Sequence, residues 1–239
     1  AGVKDLRASL SLVDLHARHG RAQEALKVAQ QVSAGAPDDL AVLVALARVQ
    51  LLNADIANAK ATLGTATRVA GFDAPVQVEI ALLQLSARNL PGAAYSLDKA
   101  LSAKADFLPA HALMVDVEIR QGELARAEQR AKQIVQKEPK LPVGYSLLGD
   151  LALARKQPAQ AIESYRKAHQ VQPSRDTMRR LFRALAATDM KSAIQFGEQW
   201  AKAHPDDLSA RRMLAETHVR SGDMSAARRE YEHLRKLAP

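Results

Sequence analysis

The side chains that could do chemistry in this chain are few, and they do not converge. His16-x-x-His19 places two imidazoles within one turn of a helix, which is the beginning of a metal site. No third ligand accompanies them, and His19 stands directly before Gly20, a helix-ending residue, so a structural or solvated pair is expected. Glu216 and His218 are two residues apart and face different directions on a helix, so they do not form an acid–base pair. The sequence holds no Gly-x-Ser-x-Gly elbow, no phosphate loop and no Gly-rich dinucleotide turn. No catalytic, cofactor-binding or metal-binding residue is assigned, and the chain is expected not to be an enzyme.

The sharpest cluster is basic: Arg175, Arg179, Arg180 and Arg183, followed by Arg211-Arg212 and Arg228-Arg229. Such a patch can take an acidic peptide, a polyanionic sugar or nucleic acid. Equally, it can be a solvated helix surface with internal pairs, for instance to Asp176 and Glu216. Almost no aromatic residue interleaves with these arginines, so base stacking is poorly provided for and nucleic acid is disfavoured. The net charge of +8 is uneven. Residues 1–120 carry 12 Lys/Arg against 12 Asp/Glu, and residues 121–239 carry 22 against 14. The excess in the second half suggests acidic partners there.

The elements that must position these groups are helices. Of the 239 residues, 47% are apolar but only 4% aromatic, with Ala and Leu dominant, which favours helix over sheet. No uncharged apolar run is long enough to span a bilayer. The start, Ala1-Gly2-Val3-Lys4-Asp5, lacks a leader pattern, and the absence of cysteine leaves the compartment open.

Prolines at 37, 75, 109, 139, 173, 205 and 239 recur at separations of 38, 34, 30, 34, 32 and 34, and each is expected to mark the exit from a helical hairpin. Alanines stand at one equivalent place in all seven units: Ala25, Ala59, Ala93, Ala127, Ala161, Ala193 and Ala227. There the second helix should press closest on the first. Leu63, Leu97, Tyr165 and Tyr231 follow four residues later. First helices carry apolar residues at one-face spacing, such as Leu43, Leu46, Ala47 and Tyr145, Leu148, Gly149. The turns read Asn53-Ala54-Asp55, Gly122-Glu123 and Gly222-Asp223, with Gly or Asn closing one helix and the acid opening the next. The sixth unit departs: its turn, Thr188-Asp189, lacks glycine, and Trp200 replaces a smaller residue, so a local change of twist is expected.

These marks resemble the tetratricopeptide family over essentially the whole length, best in residues 142–173. The expectation is an all-α solenoid of about seven helix-turn-helix units, with repeats at 6–39, 40–73, 74–107, 108–141, 142–174, 175–207 and 208–239. The resemblance implies a right-handed superhelix whose concave face is lined by the first, or A, helices. The chain closes on Pro239 with no polar helix after it, whereas repeat arrays end in polar-faced caps, so a piece of a longer repeat protein is expected.

Carried over by position, the family's concave face comprises Val44, Arg48, Leu51, Val78, Leu82 and Leu85, then Asp116 and Ile119, then Ser146, Asp150 and Leu153. Arg179 and Arg183 follow, then Arg212, Glu216 and Val219. A protein or peptide partner is expected there, on a groove apolar early and charged late; part of the apolar strip could instead be packing between adjacent A helices. Chaperone-binding members need Lys and Asn in their carboxylate clamp, where this chain has Leu10, Asp14, Val44 and Arg48, which argues against a chaperone-tail adaptor.

Residues 142–239 also resemble the repeat lipoproteins of the PEP-CTERM/exosortase system. The matching stretches are Gly149-Asp150-Leu151, Ala161, Tyr165, Lys167-Ala168, then Trp200-Ala-Lys-Ala-His204-Pro205-Asp206-Asp207, Arg211, Leu214-Ala215-Glu216, Gly222-Asp223, Ala227 and Tyr231-Glu232. This implies a scaffold in bacterial envelope exopolysaccharide export or protein sorting, periplasmic or anchored at the outer membrane. An acidic polysaccharide is an alternative partner. The periplasmic repeat region of a polysaccharide exporter and a cytoplasmic regulatory adaptor remain alternatives. The oligomeric state is not legible.

Overall fold

The computed structural model describes residues 6–237. The segment 1–5, read above for a leader pattern, and Pro239 lie outside the described residues. Among the described residues there are fourteen α-helices and no strand. The A helices are α1 (Leu6–Arg18), α3 (Leu40–Leu52), α5 (Ala74–Ser86), α7 (Leu108–Gln121), α9 (Pro142–Ala154), α11 (Arg175–Thr188) and α13 (Leu208–Ser221). The B helices are α2 (Ala22–Gly35), α4 (Ile56–Val69), α6 (Leu90–Ala103), α8 (Leu124–Lys137), α10 (Pro158–Val171), α12 (Met190–Ala203) and α14 (Met224–Leu237). The chain divides into two units, Ala1–Glu123 with α1 to α7 and Leu124–Pro239 with α8 to α14. Within each unit, antiparallel hairpins pack side by side. The fold class is all-α, of the helical-repeat type.

Local chemistry sets the helix ends. Asp39, Asp55, Asp73, Asn89, Asp189 and Asp207 each accept the backbone N–H three residues on, satisfying a donor that the helix itself cannot. Gly122 and Gly222 close α7 and α13 in the left-handed conformation, at φ 81° and 84°. In Asn53-Ala54-Asp55 the expectation needs correcting: Ala54 (φ 57°), not Asn53, takes that conformation, and Arg88 and Lys156 do so in their hairpins. The prolines need correcting as well. Pro75 and Pro109 lie in the first turn of α5 and α7, where a missing N–H costs nothing, so they open the next helix and do not mark an exit loop. This accounts for their uneven spacing.

All seven repeat alanines are buried, six of them with no exposed surface. The layer beside them is size-complementary. Ala47 on α3 shares a core with Leu63 on α4, and Ala81 on α5 with Leu97 on α6. In the α9–α10 hairpin the equivalent pair is Gly149 and Tyr165; in α11–α12 it is reversed, Phe182 and Gly197. A methyl on Gly149 would sit 2.3 Å from a Tyr165 ring carbon, and one on Gly197 would sit 2.6 Å from Phe182. Each pair supplies one large and one small residue, because dense packing has no room for two large ones. Tyr231, at the same place in α14, is 45% exposed.

The sixth hairpin is tightened. Asp189 alone separates α11 from α12, ending one helix and capping the next. Trp200 is buried at 6% exposure, and its Nε1–H donates to the buried carboxylate of Asp207 at 3.0 Å. His204 stacks on the indole with centroids 3.7 Å apart, and His169 approaches it at 5.5 Å. Burial, and then the charge of His204, lower the pKa of His169 below its ordinary value.

Candidate partner-binding grooves

In the first unit, α1, α3 and α5 enclose an open groove of about 690 Å³. Its apolar lining comes from Leu10, Val13 and Ala17 on α1, from Leu40, Ala41, Val44, Ala45 and Val49 on α3, and from Val76 on α5. Charged side chains form the rim, and they are paired within it. Arg18 meets Asp14 at 2.8 Å, Arg48 meets Glu79 at 2.8 Å, and Asp39 accepts the N–H of Val42. Of the positions expected to face a partner, Val44 and Arg48 line this groove. Leu51, Val78 and Leu85 are half-buried against cores that their own hairpins share with the next A helix, so much of their surface serves packing. Leu82 is 51% exposed. Asp116 pairs with Arg120 one turn on, and Ile119 is half-buried.

In the second unit, α9, α10 and α11 line a smaller groove of about 360 Å³. It brings together Asp150, Arg179 and Arg183, and it adds Tyr165 and Arg180. Asp150 accepts the Tyr165 hydroxyl at 2.6 Å and one Arg180 nitrogen through both carboxylate oxygens, each at 2.7 Å. Arg180 also reaches Asp176 at 2.9 Å, and Arg179 reaches Asp176 at 2.7 Å. Burial, then the bond to Asp150, raise the Tyr165 pKa, so the phenol stays protonated and donates. Burial works against the charge on Arg180, but Asp150 and Asp176 outweigh it and the net shift is upward. For Asp176 burial likewise opposes the charge, and its two arginines prevail, lowering its pKa.

The basic cluster is therefore largely neutralised from within. Arg175 pairs with Asp206 and Asp207, while Arg179 and Arg180 pair as above. Arg183 has neither hydrogen bond nor ion pair among the described residues. The same holds for Arg212 and Glu216 on α13, both exposed. Arg211, by contrast, is buried, bonding the carbonyl of Ala201 and the carboxylate of Glu230. No group of three His, Cys, Asp or Glu among the described residues could hold a metal ion, and His19 is exposed.

Family models described as tetratricopeptide repeat match residues 16–82 and 113–174, together more than half of the chain. The chain belongs to the tetratricopeptide repeat superfamily. Solved structures agree on the fold. A tetratricopeptide repeat protein from Parabacteroides merdae is similar at TM-score 0.67 and 16% identity, over 91% of this chain and 86% of that one. A thermophilic member from Thermus thermophilus gives 0.54 and 23%, over 76% and 99%. Yeast Tom70 gives 0.69 and 14%, over 98% of this chain and 52% of its own. No curated protein matches the sequence.

Position within the tetratricopeptide unit located several lining residues but missed others. Ala41 and Ala45 carry no signal beyond their one-turn spacing, and Val76 comes from a helix that only the stacking of hairpins brings alongside α3. Tyr165 and Asp150 were legible separately, one as a repeat mark and one as a groove position. Their bond across 15 residues was not.

Proposed function

We propose that this chain is a non-enzymatic scaffold that holds protein segments on the A-helix faces of its repeats. The observation that carries the reading is the first unit's groove, an open apolar trough of about 690 Å³ on three A helices, of a size that holds several partner side chains. The setting we favour is the bacterial envelope, with the protein periplasmic or anchored at the outer membrane and serving exopolysaccharide export or exosortase-associated sorting. The likeness of residues 142–239 to the repeat lipoproteins of that system supports this setting.

The test is affinity capture from envelope extract with the wild-type chain and with two variant baits, Ala41→Arg in the first groove and Arg183→Glu in the second. A defined envelope protein captured by wild type and lost with either variant supports the scaffold reading. Capture no better than with an unrelated helical protein, or capture indifferent to both variants, would sink it. A partner found only in cytoplasmic extract would remove the envelope setting and leave the scaffold.

A further inference from the structure

We infer that the groove on α1, α3 and α5 seats a partner helix that presents an uncharged apolar stripe. The inference rests on the scaffold reading and specifies the partner of that same surface.

The first argument concerns backbone groups. An extended segment laid in the groove would bring its own N–H and C=O groups against the wall, and each would need a partner there. The floor offers almost none, since Val44, Ala41, Ala45 and Val76 carry no polar side-chain atom. The charged groups of the lining already hold partners, Asp14 with Arg18, Arg48 with Glu79 and Asp39 with the Val42 N–H, and the donors and acceptors left on these five side chains cannot serve every group of an extended backbone. A buried, unpaired backbone group costs on the order of a whole hydrogen bond. A helix avoids the problem because it satisfies its own backbone.

The second argument is charge. The lining carries Asp14, Asp39 and Glu79 against Arg18 and Arg48; both arginines close ion pairs within the wall at 2.8 Å, and the third acid, Asp39, caps α3 through the Val42 N–H. No arginine is left over to attract an acidic stripe, and the one acid without an arginine, Asp39, is held at the positive N-terminus of α3, so a partner's buried charge would be poorly compensated here. The second unit's groove differs, since Arg183 remains without a partner beside the satisfied Asp150. The third argument is relief. Ala41 and Ala45 lie one turn apart on the same helix face, so a partner helix can ride close and insert larger residues at i, i+3 or i+4, and i+7.

Two synthetic helical peptides of about 20 residues on a neutral Ala/Gln background are suitable probes, long enough to hold helix in water. One carries Leu along one stripe, and the other carries Glu at the same positions. Binding is read by calorimetry to wild type, Ala41→Arg and Arg183→Glu, at about 0.05 M and about 0.5 M salt. Ala41 is exposed, so its variant should keep the wild-type circular dichroism. The expected result is binding of the Leu-stripe peptide that changes less than about twofold with salt, falls about tenfold or more in Ala41→Arg, and survives Arg183→Glu. Leu-stripe binding that ignores Ala41→Arg, or that collapses at high salt, would overturn the inference. If only the Glu-stripe peptide binds, and Arg183→Glu abolishes it, the scaffold reading stands and this inference falls. If neither peptide binds while extract capture persists, the inference again falls alone. Loss of both the peptide binding and the extract capture removes the scaffold reading as well.

Discussion

Replacing Gly149 with Ala tests whether this array is held in register by paired sizes. The new methyl would stand 2.3 Å from one Tyr165 ring carbon and 2.5 Å from the next, whereas ordinary contact begins at 3.4 Å. The ring must therefore withdraw by roughly 1 Å, in a core packed as densely as an organic crystal. Tyr165 cannot yield freely, because its hydroxyl is held 2.6 Å from Asp150. A retreat of that size stretches the bond beyond hydrogen-bonding range. Overpacking of this kind costs about 1–3 kcal/mol, and a lost bond to a charged group costs about 1.5–3 kcal/mol. Alanine returns about 1 kcal/mol through its better helix propensity. Taking the lower part of each range, since Asp150 keeps Arg180, the net loss is about 2 kcal/mol.

The structure also supplies the control. Two other hairpins use Ala opposite Leu at the same places, Ala47 with Leu63 and Ala81 with Leu97. In a Tyr165→Leu background, Gly149→Ala should therefore be neutral or slightly stabilising. The assay is urea unfolding of all four proteins, followed by the fluorescence of Trp200, the chain's one tryptophan, which sits in the affected unit. A coupling energy of about 2 kcal/mol is expected, within the range that touching residues show. A coupling below about 0.5 kcal/mol would refute the paired-size reasoning.

Three other outcomes follow from the same packing. Gly197→Ala should cost about 2 kcal/mol against Phe182, and Phe182→Leu should relieve most of it, checked by the same unfolding curves. Trp200→Phe removes one of the donors serving the buried Asp207 and should cost about 1–2 kcal/mol by far-UV circular dichroism melts; an unchanged melt would mean that Arg175 and the Ala210 N–H suffice. The folded pKa of His169 is lowered, by burial first and the His204 charge second, so the neutral ring is the one the fold prefers. Stability should be full above its unfolded value of about 6.5 and decline as pH falls through it, and His169→Gln should flatten that decline in melts between pH 7.5 and 5.

The fold was legible because its signals are local and repeated. An alanine at one register in seven units, with acids or Asn opening many of the helices, leaves one architecture that satisfies them all. The turn chemistry was less legible, because a left-handed residue need not be glycine when flanking helices impose the conformation, as at Ala54, Arg88 and Lys156. The charged groove was the least legible. A run of Arg175, Arg179, Arg180 and Arg183 looks like a single basic patch until the structure sets Asp206 on Arg175 and Asp150 on Arg180, across separations of 31 and 30 residues. Charge in a sequence is a sum, and charge at a site is what remains after the neighbours have paired. In a repeat array those neighbours arrive one period away, Asp150 with Arg180 at a separation of 30 and Arg48 with Glu79 at 31. A charge on an A helix is therefore best read against the residues about one repeat before and after it. On that basis both arginines of the first groove are already paired within its wall, and Arg183 is the residue of the run 175–183 whose charge is still available to a partner.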